Sequence, residues 1–256
     1  MKTFTFSHHI PLSFALITSM LVFSLVQPGD AAAPSDDAVR GIISSMVQIP
    51  GKNYRISSTE VTRAQWKAIM GKLSEHRGMK LEASTVNKPM VCISWEDCQV
   101  FIATLNALPA VKEAGLTFRL PTADEWEYAC RAGTTGKYSK MEGGRDVKAE
   151  NLGDVAWFVG NSWKMVTNAE GKEERQEITE QPVATKKPNA FGLYDMHGNV
   201  WEWTDTISED GKDRIFCGGH YDASAAQCES SVRYRNLPTY WEDFLGFRLC
   251  ATGGSK

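Results

Sequence analysis

The sequence predicts an α+β domain with its helices early and an irregular, loop-rich second half of short antiparallel strands. Three observations carry that expectation: three helix starts written in capping chemistry, the fading of helical periodicity after about residue 140, and short apolar runs beyond it parted by Gly, Asn, Asp and Pro. In T-R-A-Q, Thr62 caps a helix and Gln65 reaches back to it, placing Trp66, Ile69 and Met70 on one face. In S-W-E-D, Ser94 is the cap, Asp97 supports the first turn, and Cys98, Phe101, Ile102 and Leu105 form the apolar stripe. In T-A-D-E, directly after Pro121, Thr122 and Glu125 make a third box, with Trp126 and either Ala129 or Cys130 facing the core.

Strands are expected at residues 155–159, 215–217 and 246–250. The polar run NAEGKEERQEITEQ, residues 168–181, reads as a surface loop or insertion. Residues 34–45 read as a linker, and residues 46–253 as one domain.

Composition narrows the function classes. A chain of 256 residues can bury a sizeable core, and its 28 basic against 31 acidic residues give no basic field for nucleic acid. Eight Trp point to side-chain clusters or to a wet aromatic groove. Residues 1–33 have the form of a secretory signal peptide: Lys2 near the start, an apolar run over residues 10–26, then Ala31-Ala32-Ala33. Export to a periplasm or the extracellular space follows, with no stable membrane span once the signal is removed. Six cysteines (Cys92, Cys98, Cys130, Cys217, Cys228 and Cys250) in an exported chain suggest disulfides of open connectivity, and their spacing does not suit zinc. No G-x-S-x-G, P-loop or H-E-x-x-H is present.

One stretch carries metal-type chemistry. In G-L-Y-D-M-H-G-N-V-W-E-W, Asp195, Asn199 and Glu202 offer hard oxygens within a turn-like segment, and Gly198 frees the backbone there. Such donors suit calcium. They equally suit carboxylates that only accept from backbone amides.

Four segments together resemble the formylglycine-generating, sulfatase-modifying factor family: E-V-T-R-A-Q-W at 60–66, R-L-P-T-A-D-E-W-E-Y-A at 119–129, P-N-A-F-G-L-Y-D-M-H-G-N-V-W-E-W at 188–203, and G-F-R at 246–248. P-M-V-C-I-S-W-E-D at 89–97 is similar to a fifth family segment. The resemblance implies the family's irregular α+β fold, related to C-type lectins. It implies a calcium site with Asp195 and Glu202 ligating through side chains and Gly198 and Val200 through backbone oxygens. It further implies a second calcium site starting at Asn151 and Leu152, whose remaining ligands would fall in the divergent residues 168–181.

The family's oxidases read G-G-S-x-x-C-x-x-x-x-C where this chain reads G-G-H-Y-D-A-S-A-A-Q-C at 218–228. The resemblance puts the second cysteine at Cys228, the first at Ala223 and the serine at His220. Copper(I) is soft and is held by a thiolate pair, so one thiolate makes a poor site. Cys217 and His220 are conceivable substitute ligands for a site completed by Cys228. Cys228 as a buried thiol or half of a disulfide is the plainer reading. The family's iron-dependent members require an added helical domain with a His cluster, for which this chain has no room.

Two function classes follow. One is a pseudoenzyme: a binding or scaffold domain for a protein, peptide or glycan, using the aromatic-rich residues 234–244 as part of its surface. The other is a copper-dependent oxidase that converts a peptidyl cysteine of sulfatases to formylglycine, with Cys228 as its catalytic thiol.

Overall fold

A computed structural model describes residues 35–73, 85–177 and 179–254. The expected signal peptide, residues 1–33, lies outside them. The first described element is a helix, α1 (Asp36–Ser44), capped by Ser35 and carrying Asp36 and Asp37 at its positive end. Its Val39 and Ile42 are buried in the main core. The linker expected at residues 34–45 is therefore corrected: Val39, Ile42 and Ile43 recur at helical spacing behind a serine cap, which buries one face.

Two short strands, β1 (Met46–Gln48) and β2 (Tyr54–Ser57), pair antiparallel. Then come the helices that the capping chemistry announced: α2 (Arg63–Met70), α3 (Trp95–Ala107) and, beyond the short α4 (Pro109–Glu113) and the strand β3 (Leu116–Arg119), α5 (Ala123–Arg131). All three boxes close as read, through Thr62 with Gln65, Ser94 with Asp97, and Thr122 with Glu125. The stripes meet in the main core, where Trp66 stacks on Phe101 at 5.2 Å and Phe247 meets both rings edge-on.

The second half is irregular, as expected. It contains β4 (Ala156–Trp157), β5 (Trp163–Thr167), β6 (Glu173–Glu177), β7 (His197–Gly198), β8 (Trp201–Ile207), β9 (Arg214–Cys217), β10 (Arg233–Asn236), β11 (Leu245–Phe247) and β12 (Cys250–Gly253). These complete two four-stranded sheets, ordered β1-β2-β12-β3 and β10-β9-β8-β11.

Three expectations are corrected here. Pairing is not uniformly antiparallel, because β11 runs parallel to β8 and β4 parallel to β7. Residues 246–250 are not one strand: Phe247 pairs with Trp203 in one sheet and Cys250 with Ile56 and Arg119 in the other, and the chain changes sheet at Arg248-Leu249. Residues 168–177 are not a plain loop, since β5 and β6 form a hairpin around them. Asn168 fixes its turn by accepting the Glu170 and Lys172 amides on its side-chain oxygen.

Among the described residues no helix is long and apolar enough to cross a membrane.

Candidate functional site

The calcium-type residues sit on the turn that leads into β8. Asp195, Gly198 and Asn199 all take left-handed backbone conformations, with φ of 56°, 82° and 60°. Gly198 is required, because a Cβ there would lie 2.0 Å from the Trp157 carbonyl oxygen across the β4–β7 pair. Asn199 is fully buried: its amide nitrogen donates to Glu60 Oε1 at 3.0 Å and its side-chain oxygen accepts the Gln181 amide at 2.9 Å.

Glu202 is fully buried and committed. Arg248 Nε and Nη2 donate to its two oxygens at 2.6 and 2.7 Å, and Trp126 Nε1 adds a third bond at 2.7 Å. Arg248 also donates to the Ser57 and Tyr194 carbonyls, so the fork of its guanidinium is spent on fixed acceptors. Asp195 is different. Its Oδ2 accepts the Ala184 amide at 2.7 Å, while its Oδ1 is buried without a partner. Glu60 is fully buried, and its Oε2 is likewise unpartnered. Burial raises both carboxyls, Glu60 well above the usual range, with Asp195 beside it as the next cause, and Asp195 to about 6.

Asp195 and Glu60 thus each keep one carboxylate oxygen without a partner, while both oxygens of Glu202 are taken. Among the described residues no three His, Cys, Asp or Glu side chains converge on a metal position. The second calcium position is not assembled around its first residues. The Asn151 side-chain oxygen accepts the Lys148 amide at 2.6 Å, the Leu152 carbonyl accepts the Val155 amide at 3.0 Å, and nearby Asp154 is paired with Arg145 and Lys187.

The segment at 218–228 is apolar where the oxidase reading needs reactive groups. Cys228 is fully buried, and burial pushes its thiol up to about 12. Ala223 is 1% exposed and packs in the same cluster, in which Cys228 is the one thiol. Cys217 lies in a different cluster with Cys130 and Cys250. His220 stacks on Phe244 at 4.4 Å, and burial lowers its pKa. The Cys217/His220/Cys228 set is thus not brought together as two adjacent thiolates, and copper(I) does not fit what is present.

The segment's backbone is held from below by His197. Its Nε2 accepts the Ser139 amide at 3.0 Å, leaving Nδ1 to donate to the Cys228 carbonyl at 2.8 Å. Burial pushes this imidazole down to about 4, so it is a neutral strut. Gly219 is forced by packing, since a Cβ would meet Cys228 Sγ at 2.5 Å. The expected disulfides are also corrected: among the described residues no disulfide is formed, and the six cysteines are buried in four separate clusters.

On the outside, residues 234–244 present Tyr234 at 43% and Leu237 at 54% exposure. They border a hollow of about 350 Å³ lined by Asn236, Leu237, Thr239, Tyr240, Trp241 and Glu242. Tyr240 and Phe244 also pack partly against the main core, so this loop serves the fold and the surface at once.

Two residues of the buried cluster were not singled out from the sequence. Glu60 and Arg248 lay inside quoted motifs, E-V-T and G-F-R; for Arg248 the available signal was a charge in an otherwise apolar segment, and for Glu60, among Ser, Thr, Arg and Gln, there was none.

The chain is similar to known proteins. The chain is 28% identical over 183 residues to the formylglycine-generating enzyme of Mus musculus, covering 64% of this chain and 44% of that protein. It is 31% identical over 204 residues to the "Inactive C-alpha-formylglycine-generating enzyme 2" of Bos taurus, covering 77% and 58%. The chain thus spans about half the length of these relatives. The fold is shared with Treponema denticola variable protein 1 at a TM-score of 0.59 and 24% identity, over 81% of this chain and 91% of that one. A profile of the sulfatase-modifying factor enzyme 1-like domain matches residues 18–252, nearly the whole chain, which therefore belongs to that family.

Proposed function

We propose that this protein is an exported binding or scaffold member of its family, periplasmic or extracellular, without oxidase activity. The observation that carries the reading is Ala223. On the family resemblance it stands where the oxidases place the first of two copper thiolates, and it is a buried methyl group packed in one cluster with Cys228. Cys228 supports the same reading, because a buried thiol with a pKa near 12 is neither a ready nucleophile nor a ready ligand. A relative bearing the name of an inactive C-alpha-formylglycine-generating enzyme supports the reading. The ligand would be a protein, peptide or glycan held against the aromatic surface of residues 234–244, where a hollow of about 350 Å³ lies beside exposed Tyr234 and Leu237. A structural calcium ion beneath it would stiffen the turn at 195–199.

The test is a titration of the reduced protein with copper(I) against a competing chelator, followed by oxygen and a Cys-x-Pro-x-Arg peptide. No tight copper and an intact peptide thiol are expected. One tightly bound copper per chain together with loss of the peptide thiol would instead establish an oxidase built on Cys228.

A further inference from the structure

We infer that the hollow between Tyr138 and the turn Ala225–Cys228 is a second binding site, for an apolar dipeptide with both of its ends free. It does not depend on the surface at 234–244, and the two hollows share no lining residue.

This hollow has a volume of about 540 Å³, larger than the one at 236–242 and of a size that suits small ligands. Its floor is apolar and fixed. Tyr138 and Val147 are almost fully buried, in the cluster that also contains Ala223 and Cys228. Its walls are Ala149, at the start of the 3₁₀ turn Ala149–Asp154, with Ala225 and Ala226 of the turn Ala225–Cys228. All three wall side chains end at Cβ, which leaves the space open. Tyr138 Oη donates to the Ala225 carbonyl at 3.0 Å, and its ring meets His197 edge-on at 5.6 Å. Floor and wall are therefore tied together, and a ligand need not spend affinity on ordering them.

The rim decides the class of ligand. Four charged residues line the hollow, and two are spent on each other, since Lys137 Nζ lies 2.8 Å from Glu229 Oε1. The other two have only loose partners. Asp146 reaches Lys140 at 3.9 Å and Lys148 reaches Glu150 at 4.0 Å, with all four side chains at least 35% exposed. Pairs of that kind contribute little, so one carboxylate and one ammonium stand ready over an apolar floor. Asp146 and Lys148 flank Val147, whose side chain is buried in the cluster below. They therefore stand on the same side, two residues apart, about 6–7 Å along an extended chain. Two linked residues span up to about 7 Å, so a dipeptide can set its ammonium on Asp146, its carboxylate on Lys148 and its side chains on Tyr138 and the alanines. A fatty acid or an alkyl amine would leave one of the two charges unmatched. A single amino acid carries both charges on one carbon and fits their separation less well.

The experiment is calorimetric titration of the whole chain with leucyl-leucine, N-acetyl-leucyl-leucine, leucyl-leucinamide and glycyl-glycine. Leucyl-leucine is expected to bind once per chain, and the other three about tenfold more weakly or worse. Ala226→Phe fills the hollow from an exposed position and should weaken leucyl-leucine about tenfold or more at unchanged Tm. Lys148→Met should abolish the preference for leucyl-leucine over its amide, and Asp146→Asn the preference over its acetylated form. No binding heat from leucyl-leucine would overturn the inference. So would equal affinity for the acetylated and amidated peptides, or full affinity in Ala226→Phe. Loss of binding in Leu237→Ala would place the peptide in the hollow at 236–242 and overturn the assignment in the same way.

Discussion

The turn at 195–202 and the segment at 218–228 lie side by side, bridged by His197 holding the Cys228 carbonyl, yet their interiors are opposite in kind. The first is ionic: three carboxyls and a guanidinium are buried with directed hydrogen bonds. The second is apolar: an alanine methyl and a protonated thiol pack together. In the first, identity is fixed by partners, so a substitution strands a charge. In the second, identity is fixed by space and by the backbone conformation of its glycines, so a small side chain such as that of Cys228 exchanges at modest cost while a glycine does not.

Four substitutions would break or sharpen this contrast, and the largest effect is expected at the ionic side. Arg248→Leu leaves Glu202 buried without its partner and should cost about 3–5 kcal/mol, read from urea unfolding. A loss below about 1 kcal/mol would mean that the cluster is not electrostatically coupled to the fold. Next comes Gly219→Ala. It places a methyl against Cys228 Sγ and strains a backbone at φ of 83°, and should cost about 2–3 kcal/mol. Cys228→Ala should cost only about 1–2 kcal/mol, as a small cavity, and should leave copper(I) retention unchanged. In the native wild type at pH 8, iodoacetamide should spare Cys228, whose thiol titrates near 12, and should modify it fully in urea. His220→Ser is expected to be the mildest: it gives up the stack on Phe244, worth about 0.5–1 kcal/mol, and supplies the residue that the oxidases carry there. If His220→Ser instead abolished binding of a captured ligand at unchanged Tm, the aromatic face would have its first contact residue.

Local rules were legible and long-range ones were not. Thr62, Ser94 and Thr122 announced three helices because a cap and its partner lie three residues apart. Ser35 with Val39 and Ile42 carried the same kind of signal for α1, but its short span after an apolar leader reads equally as a tether. The strand at 246–250 was found and its division was missed. Nothing in G-F-R-L-C says that Phe247 and Cys250 belong to different sheets, since that is decided by Trp203 and Ile56, far off in sequence. The candidate metal residues were half legible for the same reason. Asp195 and Glu202 share one motif, but Arg248 claims Glu202 from 46 residues away and Asn199 reaches Glu60 across 139.

The order of strands in the first sheet has a consequence for how the chain acquires its shape. β12, the last strand, runs between β2 and β3, the strands of the first half, and bonds to both. That sheet cannot close by pairing its early strands with each other, because the lane between them is reserved for residues 250–253. Loops of such length are closed late and slowly. A growing chain therefore holds α2, α3 and α5 over an incomplete floor until residues 250–253 are made, and loss of those residues alone would leave β2 and β3 as two exposed edges.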